Sequence, residues 1–160
     1  MEIFLKHLAD AKKYLNNADH LAYVTYPLVN DTKIILLITE NVLNSIVNIV
    51  NAFLYYERYF KRISNVPEDF QNKLNIFKTE ISKRYNISPD FVLMAKDLKE
   101  MVETAKNSSF QFQRGNNIIL CTSQFRTKTL SLKKVKDYIN AVKILNVKAG
   151  RIIDYNAGRL

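Results

Sequence analysis

The residues best suited to chemistry lie in the last third of the chain: Arg114, Arg126, Lys128, Lys133, Lys134, Lys136 and Lys143. Past residue 105 the only acids are Asp137 and Asp154, so the whole formal net charge of +9 sits there. Lys133, Lys136 and Lys143 fall on one helical face, with Asn140 between. Phe110 and Phe112 stand just ahead of Arg114, and Phe125 just ahead of Arg126. Polyanion binding needs cations that neutralise phosphates and release counterions, with aromatic rings on which unpaired bases stack. The competing expectation is a solvated basic face, with Phe110 and Phe112 packed inward as strand aromatics usually are.

Other chemistries find few residues to use. His7 and His20 are too far apart for an i, i+4 ligand pair, and the single cysteine, Cys121, excludes an intramolecular disulfide or a thiolate metal cluster. Glu100 and Glu103 share a helical face among Lys96, Lys99 and Lys106, the pattern of an ion-paired surface and not of an acid/base pair. Arg114-Gly115-Asn116 lacks the second glycine and the Gly-Lys-Ser/Thr of a phosphate loop. No catalytic residue, metal site or cofactor is expected.

Helices must position the cations. With 160 residues, 48% hydrophobic, 3 Gly and 3 Pro, the composition favours one helical domain over 1–160. Phe4, Leu8, Ala11, Leu15, Ala18 and Ala22 recur at helical spacing and predict a first helix over 2–25, stopped at Tyr26-Pro27. A second, long helix is expected over 31–63, capped by Asn30 or Asp31. Pro67 and Ser88-Pro89-Asp90 open a third helix, 67–85, and a fourth, ending near Ala105. The period then shortens to two, and a β-hairpin is predicted over 109–122 with Arg114–Asn117 as its turn. Ser131 caps a basic last helix over 132–153, after which the tail frays. The predicted fold is mainly α: a five-helix antiparallel bundle with one small β-hairpin between helices 4 and 5.

The long second helix carries Glu40 and several asparagines, so a soluble bundle's central helix is preferred to a membrane span. With no secretory leader at Met-Glu-Ile-Phe, a cytoplasmic protein without a membrane is expected. Asn41, Asn44, Asn48, Asn51, Tyr55, Arg58 and Arg62 follow one another at steps of three and four. That line is read as a solvent edge, as a helix–helix or homodimer seam whose amides set the register, or as a groove. The abundance of Ile, Asn and Lys suggests an AT-rich genome, which inflates Asn everywhere.

The helix count and the segment Ala-Lys-Lys-Tyr-Leu-Asn-Asn-Ala at 11–18 resemble HEPN-type domains. The segment Leu54-Tyr55-Tyr56-Glu57-Arg58-Tyr59-Phe60-Lys61-Arg62 also looks like the long-helix ends of uncharacterised archaeal proteins. HEPN domains are prokaryotic helical bundles, many of them RNases or partners of minimal nucleotidyltransferases. The nuclease members carry Arg followed four to six residues later by His; here Arg84 is followed by Tyr-Asn-Ile-Ser-Pro. The resemblance therefore implies a non-catalytic member. The expected function is nucleic-acid binding, RNA ahead of DNA, or an adaptor for an acidic protein, through the seven C-terminal cations. The alternative is a dimerising helical subunit with helix 2 as its seam.

Overall fold

A computed structural model of the chain describes residues 2–108, 110–122, 124 and 126–157. The expectations placed on Ser109, Phe125 and Gly158 fall outside them. The fold is mainly helical. α1 covers 3–29, α-helical over Ile3–His20 and Tyr26–Val29 with a π-helical turn, Leu21–Thr25, between. α2 is Lys33–Tyr59, α3 covers 70–84 with its own π turn at Phe77–Ile81, and α4 is Asp90–Asn107. Strands β1 (Phe110–Arg114), β2 (Asn117–Cys121) and β3 (Thr127–Ser131) precede α5, Leu132–Ala157. The predicted hairpin is thus two strands of a three-stranded antiparallel sheet ordered β1-β2-β3. The third strand occupies the stretch between the predicted hairpin and the last helix, for which no element was expected.

α2 is the centre. Ile35, Ile38, Val42, Ile46, Ile49, Val50, Phe53 and Leu54 are buried around its circumference, and α1, α3, α4, α5 and β3 all pack on it. α1 delivers the six inward residues predicted for it, Phe4 to Ala22, all buried. The alanines let the two helices approach closely enough for Ser45 Oγ of α2 to donate to the Ala11 carbonyl at 2.8 Å. α2 is also the one helix among the described residues long and apolar enough to cross a membrane; half of its most apolar stretch is buried inside the fold.

Four boundaries differ from those predicted, each for a local reason. Pro27 does not stop α1. A proline ring collides with the carbonyl four residues back and offers no N–H. The π turn absorbs this by letting the Tyr26 N–H reach Leu21, five back. The helix ends at Asn30, in the left-handed region at φ 56°. α2 ends at Tyr59, before 63, in a Schellman motif: Lys61 takes φ 57°, its N–H bonds the Arg58 carbonyl and the Arg62 N–H bonds that of Glu57, both at 2.9 Å. α3 begins at Phe70, because Asp69, and not the Pro67 region, supplies the cap: Asn72 N–H donates to its carboxylate at 3.0 Å. α5 runs on to Ala157 where fraying from Asp154 was expected. The N-cap of α2 is Thr32, which makes no side-chain cap bond, and not the predicted Asn30 or Asp31; Asp31, one residue ahead of it, accepts from the Lys33 N–H at 3.0 Å.

The hairpin turn has two residues, Gly115 and Asn116, closed by the Arg114–Asn117 pair. Gly115 sits at φ +62° while Asn116 does not share the positive region, as a type II′ turn requires.

Candidate nucleic-acid interface

Residues directly opposite in an antiparallel sheet share a face. The register pairs Gln111 with Leu120, Gln113 with Ile118, and Ile118 with Leu130. Ile118, Leu120 and Leu130 are buried against the helices, so the glutamines lie on the bundle side. The opposite face carries Phe110 beside Cys121 and Thr127, Phe112 beside Ile119 and Thr129, and Arg114 beside Asn117 and Ser131. Phe110 is 60% exposed and Phe112 42%. The expected inward packing of these two rings is therefore wrong. β2 supplies the stronger apolar anchors, and a one-residue slip of β1 that would bury the phenylalanines would break the pairing. Gln111 uses its position to donate from Nε2 to the Ala105 carbonyl at the end of α4, 2.8 Å away.

The rings of Phe110 and Phe112 lie 5.7 Å apart, inclined at 42°. Both rings are open to solvent, and Arg114 continues the same row at the hairpin tip.

The structure divides the seven predicted cations. Lys128 pairs across β2 with Leu120, so it projects to the bundle side and meets α4: its Nζ is 2.9 Å from Glu100 and 4.0 Å from Asp97. Lys134 reaches the same Asp97 at 2.8 Å. Lys143 pairs with Asp19 of α1, and Lys136 and Lys143 both lie over the Tyr23 ring, 4.9 and 5.8 Å from its centroid. Arg126 borders a shallow hollow that also contains Glu100 and Glu103. Arg114 and Lys133 are exposed and, among the described residues, have no acidic partner.

Asp97 is the hub of that network. Burial would raise its carboxyl, but hydrogen bonds from Lys134 and Tyr138 and the charges of Lys134 and Lys128 outweigh burial and hold it below the usual range. The bond to Asp97 raises the Lys134 ammonium in turn. Burial, then the Asp97 hydrogen bond and charge, push the Tyr138 hydroxyl up to about 12. These groups join α4 to α5 and are committed to each other.

The polar line on α2 is not one surface. The Asn41 and Asn48 amides donate to carbonyls one turn back, those of Leu37 and Asn44. Asn48 Oδ1 also meets His7 Nδ1 at 2.8 Å, and the His7 ring stacks on Tyr55 with centroids 5.4 Å apart. Asn51 is buried, its Oδ1 without a hydrogen-bond partner among the described residues. Arg62 lies beyond the helix end and binds Glu57 at 3.2 Å and Tyr85 Oη at 3.1 Å. The line is in part a seam between α1 and α2 of the same chain, which leaves Asn44, Arg58 and Arg62 as its exposed members.

Sequence reasoning passed over Glu57 altogether. It is fully buried and held by Arg84, Arg62 and the Tyr85 hydroxyl, joining α2 to the end of α3. Burial raises the Tyr85 hydroxyl despite the two arginines beside it. A lone acid inside the apolar run Ala52–Tyr56 and Tyr59-Phe60 was the available signal. Among the described residues no group of three or more His, Cys, Asp or Glu is placed to hold a metal ion.

No family model, no curated protein and no solved structure matches this chain.

Proposed function

We propose that the protein binds single-stranded nucleic acid, RNA ahead of DNA, on the solvent face of its sheet, without catalysing a reaction. The observation that carries this is the outward pair Phe110 and Phe112 in line with Arg114. Two exposed aromatics on a sheet serve as stacking platforms for splayed bases, and a guanidinium in the same row takes a phosphate. Lys133, in the first turn of α5, and Arg126, at the far end of β3, extend the cationic border. The helices then act as the scaffold, an antiparallel bundle of the kind that the HEPN resemblance implies, with the sheet as its elaboration. A cytoplasmic setting suits such a ligand.

The test is fluorescence anisotropy with labelled single-stranded RNA, hairpin RNA and duplex DNA at several salt concentrations. Contacts from Arg114, Arg126 and Lys133 predict a log–log salt slope near −2 on single strands, at about −0.7 per phosphate. Phe110→Ala and Phe112→Ala should each weaken binding by about 1–3 kcal/mol, roughly 5- to 150-fold. Undetectable binding, or binding unmoved by both substitutions, overturns it.

Flat anisotropy would favour an acidic protein as the partner instead. That second reading draws on the exposed strip of α5, where Ile144 and Val147 are flanked by Lys143, Lys148 and Arg151.

A further inference from the structure

β1 is an edge strand: among the described residues no strand pairs with its outer side, and the start of α2 (Thr32, Lys33, Leu36) shares a shallow hollow with Gln111, Phe112 and Gln113. Its neighbour is β2 alone, it carries no bulge or proline, and all five of its residues are exposed. Edge strands are ordinarily blunted by such devices because their free N–H and C=O groups template pairing with another chain.

Which groups are free follows from the hydrogen bonds at the ends of the sheet. The Thr122 N–H bonds the Arg126 carbonyl at 2.8 Å, and the Leu132 N–H bonds that of Asn116 at 3.3 Å. The even-numbered residues of β2 and its flanks therefore face β3, and Asn117, Ile119 and Cys121 face β1, where they pair with Arg114, Phe112 and Phe110. By the same alternation the N–H and C=O of Gln111 and Gln113 point outward. Among the described residues these groups have no partner.

We propose that a second copy of this chain pairs with β1, antiparallel about a two-fold axis at Phe112. This goes beyond nucleic-acid binding and does not depend on it. In that register Gln111 of one copy stands opposite Gln113 of the other, so both outward residues exchange main-chain bonds, four in all. Phe112 meets its own symmetry mate at the close, non-hydrogen-bonded position, an aromatic pair on the solvent face. Phe110 faces the other copy's Arg114, a ring opposite a cation. Gln111 and Gln113 bring their amides together on the bundle side. The strand is thus complementary to itself in main-chain hydrogen bonding, with each Arg114 set opposite a ring and not opposite the other arginine. The result is a continuous six-stranded sheet with four phenylalanines on one face. Two strands of five residues bury well under the ~800 Å² per partner of a standard interface, so the dimer is expected to be weak and concentration-dependent.

Cross-linking in a Cys121→Ser background tests the register. Phe112→Cys places the two cysteine Cα atoms about 4.5 Å apart, within disulfide range. Phe110→Cys places them about 13 Å apart along the strands, out of range. Oxidation should yield a covalent dimer from the first and at least tenfold less from the second. Sedimentation equilibrium of the unaltered chain should show a monomer–dimer transition, abolished by Gln113→Pro. That substitution removes an outward N–H and leaves the β1–β2 ladder intact, which the far-ultraviolet circular dichroism should report as unchanged. A monomer up to millimolar concentration, equal cross-linking at both positions, or a dimer that survives Gln113→Pro overturns the proposal. RNA binding by the Gln113→Pro monomer is read separately, so either idea can fail alone.

Discussion

Tyr26 and Asn116 are hydrogen-bonded across ninety positions of sequence, the phenol donating to the amide oxygen at 2.9 Å. The ring is buried at the end of α1, past the π turn, and the amide belongs to the hairpin turn. Had α1 stopped at Pro27 as the pre-proline restriction suggests, Tyr26 would not be held on the helix to meet the turn. The π turn that accommodates Pro27 and the placement of the exposed phenylalanines are in this way connected.

Removal of that hydroxyl in Tyr26→Phe should cost about 1 kcal/mol, the net worth of one such bond. The loss should be local. Hydrogen exchange at Asn117 and Ile119, whose N–H groups bond β1, should speed up more than exchange at Ile46 or Ile49. Uniform acceleration across α2 would show that the bond supports the whole fold and not the hairpin.

Glu57 and Arg84 should be coupled. Glu57 is wholly buried, and removal of one partner of a buried ion pair strands the other. Glu57→Gln and Arg84→Met should each lower stability in urea by about 2–4 kcal/mol, with the double variant well short of the sum. Additive losses would mean that the two residues act separately.

The Asp97–Lys134–Tyr138 network sets opposite pH limbs. The Asp97 carboxyl is depressed in the fold, so its contribution is present above the ordinary carboxylate pKa and fades as pH falls through the lowered value. Asp97→Asn should flatten the acid limb of the stability curve below about pH 4. Tyr138 is raised to about 12, so its contribution is present below the ordinary phenol value near 10 and fades as pH climbs through 12. Ultraviolet titration should show late-ionising tyrosines, Tyr138 and Tyr85, and Tyr138→Phe should remove one of them. An unchanged titration would place Tyr138 away from the Asp97 charge.

Neighbouring lysines should separate binding from stability. Lys133→Glu should weaken RNA binding and make the salt slope shallower by about 1.4, because it removes one cation and adds one anion. Lys134→Ala should leave that slope nearly unchanged and flatten the acid limb of the stability curve, since its charge and hydrogen bond help hold Asp97 below the usual carboxylate range. Equal effects on binding would return Lys134 to the interface.

Helical periodicity was readable from the chain alone. Residues every three or four positions share one stripe, and that stripe must be buried whatever the neighbours are, so Phe4, Leu8, Leu15, Leu98, Val135 and Ile139 could be assigned inward without coordinates. Capping was equally local at Ser131, whereas Asp31 and Ser88 each accept the first helical N–H from one residue ahead of the N-cap. A strand has two equivalent faces, and Phe-Gln-Phe-Gln does not say which is covered. Only the pairing of β1 with Ile118 and Leu120, themselves anchored on the helices, turned the phenylalanines to solvent. Charge behaved the same way. Sequence located the excess of cations correctly, but Asp19, Asp97 and Glu100 are remote in the chain. Only the packing of α1 and α4 against α5 and β3 decided that Lys128, Lys134 and Lys143 are neutralised while Arg114 and Lys133 stay available.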